Sequence, residues 1–140
     1  MALLSRKSLL AVAAVIDVAL HGRDRPVSAK ALAGRHGLPA RHLEPVLQAL
    51  VRMGILKGIR GPRGGYELAR DRRRITADEI LRAAGTIDEG VDPEMASSDL
   101  LNQVVMPAMT QAEKTFAAAL GRISLEDLVR KAEPLRDTSS

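Results

Sequence analysis

Two arginines, Arg60 and Arg63, stand in the stretch Arg60-Gly61-Pro62-Arg63-Gly64-Gly65, a setting that suits them to gripping an anion. A guanidinium offers phosphate oxygens a planar fork of donors, and neighbouring glycines remove the bulk that would keep it from a surface. Gly-rich loops also cradle nucleotide phosphates, so that chemistry has to be separated first. A Walker loop ends in Lys followed by Ser or Thr, and a dinucleotide fingerprint runs from its glycines into a helix. Here the glycines are followed by Tyr66-Glu67-Leu68-Ala69, which reads as a strand. With Ile55 to Ile59 ahead of the turn, the stretch predicts a β-hairpin with a basic tip. Gly61, Gly64 and Gly65 supply positive φ and Pro62 fixes the entry of the turn. A DNA groove is the surface such a tip fits best, and a plain surface hairpin with solvated arginines is the alternative.

The other reactive groups do not assemble into a catalytic set. The three histidines, His21, His36 and His42, are scattered, no Ser/His/Asp motif is recognisable and no metal-ligand spacing occurs, so an enzyme is not expected. Asp88, Glu89, Asp92 and Glu94 lack the spacing of an EF-hand and read as a solvated acidic loop. The absence of cysteine removes disulfides, thiolate metal sites and thiol redox sensing, and it agrees with a cytoplasmic location. The apolar run Leu9 to Ile16, preceded by Arg6 and Lys7, resembles an export signal or an anchor. Asp17 ends it far short of the ~20 residues a span requires, and no small-residue cleavage site follows, so no membrane association is expected.

A chain of 140 residues makes one domain, or one domain with an appended segment. Tyr66 and Phe116 are the only aromatic residues, so the core must be built from Leu, Val, Ile, Ala and Met. Charge divides along the chain: residues 1–85 hold 16 Lys/Arg against 7 Asp/Glu, and residues 86–140 hold 5 against 10. A basic module joined to an acidic one points to a polyanionic partner for the first half.

Ser5 to His21 predicts a buried scaffold helix closed by Gly22, and Ser28 is placed to cap a short helix, Ala29 to His36, that ends at Gly37. A further helix runs from Pro39 to Met53 with Leu43, Val46, Leu47, Leu50 and Val51 on its apolar face. Its opposite face carries Arg41, His42, Glu44, Gln48 and Arg52, side chains able to reach base edges or phosphates. Pro45 removes a backbone donor and is expected to bend or loosen the start of this helix. Two helices joined by His36-Gly37-Leu38-Pro39 and followed by a basic hairpin have the order of a winged helix-turn-helix. Arg70 to Arg74 holds four arginines, which reads equally as a solvated loop or as phosphate contacts.

The run from Val27 through Ala69, with Ser28, Leu32, Ala33, Gly37, Leu38, His42-Leu43-Glu44, Leu47, Leu50, Gly54-Ile55-Leu56 and the wing Arg60 to Ala69, resembles the Rrf-two family of bacterial winged-helix repressors. The similarity extends weakly over Ile75 to Ala84 and the last long helix. It implies a homodimer on a partly palindromic operator, with the second helix of the motif in the major groove and the wing in the minor groove. The residues expected to contact DNA are Ser5, Lys7, Ser28, Arg41, His42, Glu44, Gln48, Arg60, Arg63, Gly64 and Gly65. The chain departs from the family at His42, often tyrosine, and at Pro45, often glutamine, so the bases read do not carry over. It also lacks the three cysteines of cluster-binding members, so no cofactor is expected.

In the second half, Thr76-Ala77-Asp78-Glu79 predicts a capping box in which the Thr hydroxyl meets the Glu79 backbone and the Glu carboxylate returns the bond. Ile123 to Arg130 repeats the same solution. Ser98 to Leu120 predicts a long helix kinked at Pro107, with an apolar stripe at Leu101, Val105, Met109, Ala112 and Phe116. The stripe is expected to meet a second copy of the chain, the alternative being packing on the first helix. The expected organisation is a mainly α winged helix-turn-helix domain with a small hairpin over 1–85, an acidic linker over 86–97, a dimerisation helix and short C-terminal helix over 98–133, and a disordered tail over 134–140. Truncation at Gly85 is then expected to leave a folded monomer. The functional expectation is a DNA-binding regulator, with a small-molecule effector as a possible further partner. The competing class is a winged-helix module that grips an acidic protein.

Overall fold

The computed structural model describes residues 6–85 and 99–138. Ser5 and the predicted acidic linker lie outside the described residues. Helix α1 (Arg6–His21) is followed by α2 (Ala29–His36), α3 (Ala40–Arg52), strands β1 (Leu56–Ile59) and β2 (Gly65–Leu68), a 3-10 turn Arg72–Arg74 and α4 (Ala77–Gly85). A π-helical turn, Leu101–Val105, then runs into α5 (Met106–Leu120), and α6 (Leu125–Thr138) ends the chain's described part. This order is that of a winged helix-turn-helix, mainly helical with one antiparallel hairpin.

Local sequence explains the helix boundaries near the site. Ser28 Oγ accepts from the Ala31 amide at 3.0 Å, satisfying one of the donors that a helix start leaves free. Gly37, at φ 63°, closes α2 in the left-handed conformation, where a Cβ is costly. The apolar face of α3 then comes down on the core through Leu43, Val46, Leu47, Ala49 and Leu50. Beneath it α1 contributes Ala11, Ala14, Val15 and Val18, three and four residues apart, and Ile55, Leu56, Ile75 and Ile80 complete the aliphatic interior. Helix α3 continues through Pro45 to Arg52. Pro45 lacks only the amide that would have met the Arg41 carbonyl, and it lies on the exposed side, where that carbonyl can be hydrated.

Two expectations for the second half are corrected. The Thr76 hydroxyl is directed at the carboxylates of Asp78 and Glu79 rather than at a backbone amide. Glu79 in turn pairs with Arg70 at 2.7 Å, so its carboxylate is drawn toward the base of the wing. The reciprocal box forms instead at Ser124, whose Oγ accepts from the Asp127 amide at 3.1 Å while Asp127 Oδ2 accepts from the Ser124 amide at 3.5 Å. These two helix starts also bind each other, Ala77 N–H donating to Ile123 O at 2.9 Å and Leu125 N–H to Ile75 O at 2.8 Å.

Helix α6 is the second correction. It packs on α1, with Leu125 and Val129 buried in the common core, and Arg72 pairs with Glu126. It therefore packs as part of the winged-helix core, and it continues through Pro134 to Thr138 where a disordered tail is expected from the sequence. Pro107 sits just after a change in helical winding, from the π-helical turn to α5. The missing proline amide is accommodated by the wider π-helical turn that precedes it, and Pro107 then occupies the first turn of α5, where its lack of a donor costs least.

Candidate DNA-binding surface

Helix α3 turns Arg41, His42, Glu44, Gln48 and Arg52 outward, all exposed, while Leu43, Val46, Leu47, Ala49 and Leu50 enter the core. Arg41, Glu44, Gln48 and Arg52 are spaced by three and four residues and so form one stripe along the helix. The second functional element is the wing. β1 and β2 pair with Leu56 opposite Leu68 and Ile59 opposite Gly65, β1 starting one residue later than predicted and β2 lying one residue earlier. Within the connection Gly64 N–H donates to Gly61 O at 2.9 Å, a tight turn with Pro62 and Arg63 at its centre. Gly61 has φ 115° as expected, whereas Gly64 is required for room: a Cβ there would lie 2.1 Å from the Ile59 carbonyl oxygen. Arg60 and Arg63 are both exposed.

A feature that the sequence reading missed ties this wing to the helix-turn-helix. Val27, immediately before the α2 cap, pairs with Tyr66 of β2 through Val27 N–H to Tyr66 O at 2.9 Å and Tyr66 N–H to Val27 O at 2.8 Å. Gly65 allows the approach, since a Cβ on it would come within 2.4 Å of the Val27 carbonyl oxygen. The wing and the start of α2 are thus one hydrogen-bonded unit. Ser28, expected at the DNA, has its hydroxyl engaged in the α2 cap. Lys7, on the first turns of α1, is exposed.

A second missed feature is a polar hub inside the motif. Asp17, 6% exposed, takes hydrogen bonds from Arg35 Nε at 2.9 Å and Nη2 at 2.6 Å, which clamps α1 to α2. His21 Nδ1 and His36 Nε2 lie 3.2 and 3.3 Å from the same carboxylate. The hydrogen bonds to Asp17 hold the Arg35 guanidinium above its already high ordinary range, against the opposing effect of burial. Asp17 had a visible signal: it lies three residues after Ala14 and three before Leu20, both buried, and a carboxylate on a core face needs a partner.

The arginines after the wing divide between two roles. Arg70 donates to the Gly54 carbonyl at 3.3 Å besides pairing with Glu79, and Arg72 is held by Glu126, so both are structural. Arg73 and Arg74 are exposed. In the expected dimer stripe Val105, Met109 and Ala112 are exposed, Met109 to 47%, and Phe116 is half-buried. No residue of α5 is buried. The position of the Leu101 side chain lies outside what the structure describes. Among the described residues no helix is long and apolar enough to cross a membrane.

A helix-turn-helix with an exposed polar stripe on its second helix and an arginine-bearing wing defines a winged-helix DNA-binding protein. Residues 4–131 match the Rrf2 family, described as iron-dependent transcriptional regulators, and the chain belongs to that family. It is 35% identical over 137 residues to the HTH-type transcriptional regulator IscR of Xenorhabdus nematophila, covering 94% of this chain and 82% of that one. The putative HTH-type regulator slr0846 of Synechocystis is 36% identical over 129 residues, covering 89% and 86%. Among solved structures, T. potens IscR superposes with a TM-score of 0.71 at 31% identity, covering 94% of this chain and 89% of its own. CymR, the global cysteine regulator of B. subtilis, gives 0.68 at 26%, covering 91% and 96%. The relatives are transcription regulators and not enzymes, and this chain is a transcription regulator of the same family.

The iron dependence in the family description does not fit the donors present. An iron–sulfur cluster is held by thiolates, and the chain has no cysteine. Asp17, His21 and His36 converge, but Arg35 occupies the carboxylate, and among the described residues no group of acids and histidines is arranged to hold a metal ion.

Proposed function

We propose that the protein is a homodimeric, sequence-specific repressor that recognises a partly palindromic operator, acts in the cytoplasm and works without an iron–sulfur cluster. In this reading α3 enters the major groove, where Arg41 and His42 meet base edges and Glu44 accepts from a cytosine amino group or orients Arg41. Arg60 enters the minor groove from the wing, and Arg63 reaches phosphate. The observation that carries the reading is the backbone pairing of Val27 with Tyr66, because it holds the arginine turn and the helix-turn-helix in one frame. The test is selection of duplexes from a random pool, followed by titration of the winner with variants. Arg60→Ala is expected to weaken binding by about 1 to 3 kcal/mol with the fold intact, and Arg41→Ala to flatten preference among operator variants. Unchanged affinity in a folded Arg60→Ala protein removes the wing from the mechanism. Binding to an acidic protein with no steep salt dependence on duplex DNA favours an interaction module instead.

Dimerisation through the π-helical turn and α5 is supported by their exposed apolar side chains, since Val104, Val105, Met106 and Met109 all stand in solvent in the single chain. A second copy covering that stripe brings two recognition helices to one operator. Sedimentation at micromolar concentration is expected to show a dimer, and Met109→Glu a monomer; a monomeric wild-type chain contradicts the proposal. Signal sensing, whether by a small effector or absent altogether, is then independent of iron and of thiol redox state.

A further inference from the structure

Between the wing turn and the start of α2 lies an open cleft of about 980 Å³ whose lining includes His21, Asp24, Arg25, Ser28, Arg35 and Arg63. Its three arginines are not equivalent. Arg35 is committed to the buried Asp17 by its Nε and Nη2 groups, so its charge is largely neutralised where it stands. Arg25 and Arg63 are exposed and have no acidic partner among the described residues. They come from different elements, Arg25 from the loop joining α1 to α2 and Arg63 from the wing. The Val27–Tyr66 pairing fixes those elements against each other, so the two guanidiniums flank one opening. Ser28 and Ala31 bring the first turn of α2 to the same opening, which adds the positive end of a helix dipole. Asp24 is the one carboxylate on the lining, and it leaves the cleft cationic.

We propose that this cleft seats a phosphate of the DNA backbone, ligated by Arg25 from one side and Arg63 from the other, with the Asp17-bound Arg35 as its wall. The assignment rests on the DNA-binding reading and adds to it a contact outside both the recognition helix and the minor groove. A phosphate suits the place because two long guanidiniums on separate elements tolerate variation in position, as backbone contacts must when base sequence changes. Base readout would require the fixed bidentate geometry that α3 can supply and this opening does not.

The test compares full-length wild-type, Arg25→Ala and Arg25→Lys proteins on the duplex the wild type selects and on a mixed-sequence duplex, across a salt series. Arg25→Ala is expected to weaken both by the same factor, roughly 3- to 10-fold, and to reduce the slope of log affinity against log salt by about one. Arg25→Lys is expected to retain the slope. Arg25 is exposed, so circular dichroism of the variants should match the wild type. An unchanged slope and affinity in Arg25→Ala, with Arg60→Ala still impaired, overturns the cleft assignment and leaves DNA binding standing. No salt-dependent duplex binding by the wild type overturns both. Saturable binding of inorganic phosphate that Arg25→Ala abolishes, with the duplex slope unmoved, identifies a pocket for a free anion and overturns the DNA assignment.

Discussion

Cutting the chain after Gly85 is expected to abolish the fold, even though the remaining residues carry the whole wing and helix-turn-helix. Leu125 and Val129 of α6 are buried against α1, and Leu125 N–H donates to Ile75 O. Removing a buried Leu side chain costs about 2 to 5 kcal/mol, and losing Val129 with the rest of the interface adds further exposure of the α1 surface. A domain of this size is stable by about 5 to 15 kcal/mol, so the truncation consumes most or all of it. Far-ultraviolet circular dichroism of residues 1–85 should show no cooperative melt. Leu125→Ala in the full chain gives the graded version, a loss of about 3 kcal/mol by urea denaturation. A truncated protein that melts cooperatively near the full-length temperature would refute this role for α6.

The second large effect is expected at Gly65. Three backbone atoms, the carbonyl oxygen and carbon of Val27 and the Ser28 nitrogen, lie within 2.8 Å of where its Cβ would stand, and none is the end of a flexible side chain. Gly65→Ala must therefore part β2 from the segment ahead of α2 and break both Val27–Tyr66 hydrogen bonds, each worth about 1 kcal/mol. With the strain included the expected destabilisation is about 3 kcal/mol. The wing then loses its fixed relation to α3, and operator affinity is expected to fall at least about tenfold, a change of about 1.4 kcal/mol. Hydrogen exchange at the Val27 and Tyr66 amides reads the separation directly. Gly58→Ala is the control, because nothing lies within 4 Å of its Cβ position. Equal behaviour of the two variants would show that the wing is not held through Val27.

Much of this architecture was legible because it is written in local chemistry. Ser28, Gly37 and Gly61 act through their own backbone neighbourhood, and the period of Leu43, Val46, Leu47 and Leu50 marks a helix face without reference to any other element. The wing's residues were found for the same reason. What the sequence hid depends on partners distant along the chain. Asp17 looked like the end of an apolar run until Arg35, eighteen positions on, was seen to clamp it. The repeated Thr76 and Ser124 motifs gave the right places for helix starts, but a carboxylate can serve either its own helix or a nearby arginine, and Arg70 decided that competition at Glu79. The amphipathic pattern of α6 showed that it must bury one face without showing against what. For the candidate site, the exposed stripe of α3 was readable from its period, whereas the coupling of wing to α2 passes through backbone atoms that no side-chain pattern records.

The mutual bonding of the Thr76 and Ser124 helix starts has a topological consequence. The chain departs at Ile75 and Ala77 into α4, and after α5 it comes back at Ile123 and Leu125 to the place it left. An excursion whose two ends are already fastened together can change in length at a closure cost that grows only with the logarithm of that length. Among the described residues the far part of the excursion is α5, which buries none of its own residues. Changes of length between α4 and α5 are therefore expected to leave the packing of α1, α3 and α6 in place.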